Sequence, residues 1–99
     1  MRAVDLAIYA DALAGEADAL AARIERARSQ LRQAELEREA AAGLPSGTVE
    51  RLQTLGWLRP FDDAALRRAI DAWSSQLESL EELQAWVEER LAAEAMAAR

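Results

Sequence analysis

Two stretches of the chain repeat apolar residues at alternating steps of three and four, the spacing that keeps them on one face of a coiled-coil helix. In the first stretch the repeated positions are Ala3, Leu6, Ala10, Leu13, Ala17, Leu20, Ile24, Ala27, Leu31 and Ala34. In the second they are Leu66, Ile70, Trp73, Leu77, Leu80, Gln84, Val87 and Leu91. Each stretch predicts a long α-helix with one apolar seam.

The two seams match when the helices are placed antiparallel. With Ile24 opposite Leu80, nearly every large residue faces a small or medium one, as interdigitating layers require. The same register places Val87 opposite Ala17. The sequence therefore predicts that the two helices pack against each other within one chain.

Charges beside the seam fit this arrangement. In the predicted register Glu35 lies near Arg67, and Glu16 lies near Arg90. Each exposed pair contributes only about 0.2–1 kcal/mol, so the pairs indicate the register rather than stabilise it.

The boundaries of the elements follow from their capping residues. Gly43 and Pro45 end the first helix, predicted over residues 4–42. Asp62 caps the last helix, predicted over residues 62–96, and the turn of residues 43–61 contains a short helix. The prediction is a single all-α domain over residues 1–99: an antiparallel coiled-coil helical hairpin with a short helix at the turn, which forms a four-helix bundle as a dimer.

The turn is unusually apolar. Too many apolar residues occur there for a solvated loop, so they are expected to form a small core that closes the end of the hairpin. They are Val49, Leu52, Leu55, Trp57 and Phe61. The alternative is that residues 43–61 form a partner-binding surface.

Composition limits the chemistry that is available. The chain has no cysteine and no histidine, so it lacks a Cys/His zinc site and a histidine base, and we expect no cofactor and no metal. A net charge of −6 argues against nucleic acid and against anionic membranes as partners. No apolar run approaches the roughly 20 residues of a membrane span, so a cytoplasmic protein is expected. Every basic residue is arginine, which codon usage in a GC-rich bacterial genome explains.

Several apolar residues fall outside the seam, on one flank of both helices. A hairpin with one seam does not need a tryptophan beside that seam, and a contiguous apolar patch on a surface marks an interface. The large and central members, predicted as interface residues, are Tyr9, Ala12, Ala19, Leu83 and Trp86, and Ala69 and Ala72 extend the flank. The sequence thus predicts a protein–protein interaction module without catalytic chemistry: an adaptor, scaffold or regulator that binds itself as a homodimer, another protein, or both.

Resemblances to two known protein families give alternative functions for the chain. The long–short–long helix order resembles that of the all-helical chorismate mutases, small dimeric enzymes with a cationic pocket, in which Arg23, Arg28 and Arg51 would stand for the pocket arginines. Size, acidity and the Gly56-Trp57 turn resemble the secreted WXG-type helical hairpins, with Trp86-x-x-x-Arg90 in place of their C-terminal motif. Both resemblances rest on architecture, and the chain has no lysine, so the interaction module remains the prediction.

Overall fold

A computed structural model describes residues 2–59 and 62–98 of the chain. These residues form three α-helices and no strand: α1 (Ala3–Ala42), α2 (Ser46–Thr54) and α3 (Asp63–Ala97). The all-α prediction and the helix order are confirmed, and α2 lies within the predicted turn. Within the described ranges, none of the helices is both long and apolar enough to cross a membrane.

The molecule is an elongated rod of 74 × 19 × 16 Å with a radius of gyration of 21.9 Å. A compact domain of this length has a radius of about 13 Å. Its accessible surface is 7499 Å², whereas a compact protein of its 10.9 kDa mass exposes roughly 5,600 Å². A single hairpin therefore leaves much of each long helix exposed to solvent.

The helices α1 and α3 pack antiparallel. The start of α1 contributes Leu6 to a cluster that Leu91, near the end of α3, packs against. Further along α1, Leu31 packs on a second cluster that also contacts Leu66, near the start of α3. The two clusters together make a narrow seam along the hairpin.

The packing of Val87 sets the register of α3 against α1. Val87 is fully buried in one cluster with Leu6 and Leu13. Those two leucines lie two turns apart on α1, about 10 Å along its axis, so Val87 lies between them. The predicted register, with Ala17 opposite Val87, is therefore wrong, and the helices are shifted by about one heptad.

The same shift separates the predicted pair Ile24 and Leu80. Leu80 packs against the cluster that contains Val87, whereas Ile24 belongs to the second cluster with Ile70. A shift of one heptad leaves every seam residue on the seam, so the apolar repeat is compatible with both registers. The seam is confirmed, and the pairing of its layers is corrected.

Only one of the two predicted ion pairs between the helices is present among the described residues. Arg67 Nη2 lies 2.7 Å from Glu35 Oε1, as predicted. The predicted pairing of Arg90 with Glu16 is replaced by a pair within α3, in which Arg90 Nε lies 3.7 Å from Glu94 Oε1. One of the two charge predictions is confirmed, and it is the one at the closed end of the hairpin.

The helix α3 begins beside α1 well before α1 ends. Asp62 caps α3 as predicted, because its Oδ1 accepts a hydrogen bond of 3.1 Å from the Ala65 N–H. The next residue, Asp63, accepts a bond of 3.3 Å from Arg38, while α1 continues to Ala42. The connecting segment must therefore fold back along the last turns of α1, which accounts for the heptad shift.

A left-handed glycine starts this return. Gly56 has a φ of +83°, and the N–H of Trp57 donates to the Leu52 carbonyl at 2.9 Å. Together with the bond from the Gly56 N–H to the Gln53 carbonyl, at 3.1 Å, this is a Schellman ending. The chain reverses after α2, and Leu58 borders a cleft against α1.

The predicted core of the turn is only partly present. Val49 and Leu52 are half-buried. Leu55 and Trp57 are 70% and 73% exposed, so the expectation that they close the core is wrong. Phe61 lies outside the described residues. The chain reverses at Gly56, and Trp57, the residue after it, lies on the surface.

The contact at the start of α3 gives a pH prediction. The hydrogen bond from Arg38 lowers the pKa of Asp63 below its usual value, and the charge of Arg67 contributes in the same direction. The ionised carboxylate therefore stabilises the folded chain above the usual aspartate pKa, and this contribution disappears as the pH falls through the lowered value. Arg38→Ala should raise the pKa of Asp63, as measured by NMR titration of its carboxyl carbon. Arg32→Ala, which removes the pair with Glu25 and the hydrogen bond to Ser29 but no contact with Asp63, should leave it unchanged. A titration of Asp63 that does not move in Arg38→Ala would contradict the assignment.

Candidate interaction surface

An open groove of about 690 Å³ runs between α1 and α3 on one side of the hairpin. The half-buried side chains of Leu20 and Leu80 form its apolar floor. The full set of lining residues is Glu16, Ala19, Leu20, Arg23, Ser75, Gln76, Ser79, Leu80 and Leu83. Two of the five predicted interface residues, Ala19 and Leu83, are thus brought together in one groove.

Two further predicted residues extend this surface along α1. Residues seven apart lie on nearly the same side of a helix. Ala12 precedes the groove residue Ala19 by seven positions, and it is exposed. Tyr9 precedes the groove residue Glu16 by the same interval and is 43% exposed. Both side chains therefore lie on the groove side of α1.

The spacing along α3 gives the same result. Trp86 follows the groove residue Ser79 by seven positions, and Ala72 precedes it by seven. Ala69 precedes the groove residue Gln76 by seven. We call this side of the hairpin the groove face, which comprises Tyr9, Ala12, Glu16, Ala19 and Arg23 of α1 and Ala69, Ala72, Gln76, Ser79, Leu83 and Trp86 of α3.

The shifted register concentrates the apolar part of the groove face. Val87 lies between Leu6 and Leu13 along the rod, so its neighbour Trp86 is level with the same segment of α1. That segment contains Tyr9. In the predicted register Trp86 would instead lie level with a segment of α1 that is one heptad closer to the turn. The large side chains of the groove face therefore come to the same level near the open end of the hairpin.

Three large side chains of the groove face are exposed in the isolated chain. Trp86 is 55% exposed, Tyr9 is 43% exposed and Leu83 is 36% exposed. Solvated apolar area costs about 25 cal/mol per Å² relative to burial. A contiguous group of this kind, next to an apolar groove, is typical of an interface.

The groove is bordered by one charge of each sign on α1. The Arg23 guanidinium lies over the ring of Trp73, with Cζ 5.6 Å from the ring centroid. This cation–π contact holds the positive charge against the hairpin. Glu16 places the opposite charge seven residues away along the same helix.

The opposite side of the hairpin has a different character. The groove there is lined by more charged side chains, and no large apolar residue beyond the seam borders it: Ala21, Ile24, Glu25, Arg28, Ser74, Leu77, Glu78 and Glu81. The two sides are chemically distinct, and the groove face is the more apolar of the two.

The three arginines of the chorismate mutase alternative lie on separate surfaces. Arg23 borders the groove face, whereas Arg28 borders the opposite groove. Arg51 lies on α2, where it donates a hydrogen bond of 3.4 Å to Thr48. Within one chain these three arginines do not line a common pocket. Among the described residues, no group of three or more acidic side chains is arranged to hold a metal ion.

A second apolar surface is exposed at the closed end, which the sequence offered only as the alternative to a core in the turn. Trp57 borders a cleft beside α1, and Leu55 and Leu36 are also exposed. Gly56 is the sequence signal for the reversal of the chain there, because a glycine that ends a helix takes the left-handed conformation.

Comparison of the chain with protein-family models, with curated proteins and with solved structures found no match. The functional interpretation therefore depends on the geometry of the chain.

Proposed function

We propose that this chain is a small protein–protein interaction module that associates with itself through the groove face. The observation that carries the proposal is the group of exposed side chains Tyr9, Leu83 and Trp86 beside an apolar groove. Its function is that of an adaptor, scaffold or regulator, in which binding rather than catalysis is the activity.

The shape of the chain supports association. The hairpin exposes roughly 1,900 Å² more than a compact protein of its mass. A standard protein interface removes about 800 Å² from each partner. One interface along the groove face would therefore bring the exposed area closer to that of a compact protein, as in a four-helix bundle.

The charges of the groove face support a second copy as the partner. The whole chain has a net charge of −6, which opposes close approach of two identical molecules. The groove, however, is bordered by Glu16 and Arg23, one charge of each sign. Two groove faces can meet without placing like charges together, and closed two-fold dimers are the commonest assemblies of identical chains.

Sedimentation equilibrium over a concentration series tests the proposal. At about 100 μM, well above a micromolar dissociation constant, the wild-type chain should sediment with twice the chain mass. On dilution it should dissociate into monomers, as mass action requires. A wild-type chain that remains monomeric at that concentration would refute self-association.

A further inference from the structure

We infer that two copies of the chain pack groove face to groove face with a two-fold axis across the middle of the rod, so that α1 lies antiparallel to the partner's α1 and α3 antiparallel to the partner's α3. The inference rests on the proposed self-association and adds its geometry. The axis passes beside Ala19 on α1 and midway between Gln76 and Ser79 on α3.

The charges on α1 place the axis. In a two-fold interface, if residue i contacts residue j of the partner, then j contacts i of the partner. Glu16 and Arg23 are two turns apart on the groove face, about 10 Å along the helix, with Ala19 between them. An axis beside Ala19 places the Glu16 of each copy next to the partner's Arg23. By symmetry this gives two attractive ion pairs per dimer.

The side-chain sizes on α3 give the same axis independently. An axis midway between Gln76 and Ser79 places Leu83 opposite the partner's Ala72, because the two residues are equally far from it. In the same way it places Trp86 opposite the partner's Ala69. Both large residues that α3 contributes to the groove face thus meet an alanine, which is the complementarity that close packing requires.

One axis satisfies both helices. Glu16, Ala19 and Arg23 border the same groove as Gln76 and Ser79, so the two positions are level with each other in the hairpin. This level is near the middle of the part of α1 that α3 covers, from Leu6 to Ala34. The paired long helices of the two copies therefore overlap along their length, and the two turns lie at opposite ends of the dimer.

A mixing experiment tests the predicted charge pairs. Glu16→Arg leaves only positive charges at these positions, and Arg23→Glu leaves only negative ones. Each variant alone should dimerise about tenfold more weakly, because two attractive contacts become repulsive. A 1:1 mixture should form heterodimers with close to wild-type affinity, since every contact is then between opposite charges. Native mass spectrometry of the mixture gives the populations.

The matched control uses the opposite side of the hairpin. Glu25→Arg and Arg28→Glu change the net charge of the chain by the same amounts, but they border the other groove. Their mixture should show no such preference for heterodimers. An equal preference in the control pair would show that net charge, rather than the predicted contacts, is responsible, and would overturn the inference.

Single cysteines test the axis without depending on charge. The chain has no cysteine of its own, so each variant has one reactive thiol. Ala19→Cys should form a disulfide-linked dimer on oxidation, since the two thiols lie beside the axis. Ala12→Cys should not, because its symmetry mate lies about 22 Å away along the helices.

The outcomes separate the geometry from the proposed function. A wild-type dimer in which Ala19→Cys fails to cross-link, or Ala12→Cys cross-links instead, overturns this axis and leaves self-association standing. A monomeric wild type overturns both.

Discussion

Trp86→Glu is expected to convert the proposed dimer into a monomer. Trp86 is 55% exposed in the isolated chain, so the hairpin itself tolerates a charged residue there. In the proposed dimer the indole would be buried, and large aromatic anchors of this kind contribute about 2–4 kcal/mol to binding. The dissociation constant should therefore rise by about 30-fold or more. The melting temperature should fall as well, because the dimer is stabilised by mass action.

Trp57→Glu is the matched control for this variant. Trp57 is 73% exposed and receives the same substitution, but it lies at the turn and not on the groove face. It should dimerise like the wild type in sedimentation velocity. If Trp57→Glu dissociates the dimer and Trp86→Glu does not, the interface lies at the apolar turn instead.

Leu6→Ala is expected to destabilise the fold by about 2–5 kcal/mol, the usual range for removing a buried leucine. Leu6 is only 1% exposed and packs in the cluster with Val87. In the register that the sequence predicts, Leu6 would lie opposite Ala98 at the end of the rod and would contribute little. Thermal unfolding at one fixed chain concentration measures the loss, and each kcal/mol should lower the melting temperature by about 4–8 °C.

Val4→Ala is the control for Leu6→Ala. Val4 lies two residues away on the same turn and is 69% exposed, so its truncation should change stability by less than about 0.5 kcal/mol. Similar melting temperatures for the two variants would show that the end of α1 is frayed and that Val87 does not pack as described.

The sequence predicted the helices and the seam because both follow from local periodicity. Alternating steps of three and four identify which face of each helix is buried, and Ile24, Ala27 and Val87 are buried as expected. The capping aspartate, Asp62, was predictable for the same reason, since a cap depends on residues within one turn.

The register was not predictable from the seam. A heptad repeat looks the same after a shift of seven residues, so Val87 fits opposite Ala17 or between Leu6 and Leu13. The path of the turn decides between them, and that path depends on the left-handed conformation at Gly56. The ion pair between Glu35 and Arg67 is compatible with both registers, so predicting it correctly did not distinguish them.

The apolar residues of the groove face could be chosen from the sequence, but its polar members and its arrangement could not. Tyr9, Leu83 and Trp86 stood out because they are apolar and fall beside the seam. Their common level along the rod depends on the register, so it appeared only in the structure. The exposure of Trp57 depends on the turn, and the number of apolar residues there suggested the opposite.

Residue-resolved NMR during dilution tests the central claim, self-association through the groove face, most directly. Across an about hundredfold dilution through the dissociation midpoint, the indole signal of Trp86 and the methyl signals of Ala19 and Leu83 should shift together along one binding curve. Signals from the opposite groove, at Ala21 and Leu77, should stay nearly unchanged. Shifts confined to the opposite groove or to the turn, with the groove-face signals constant, would contradict the claim.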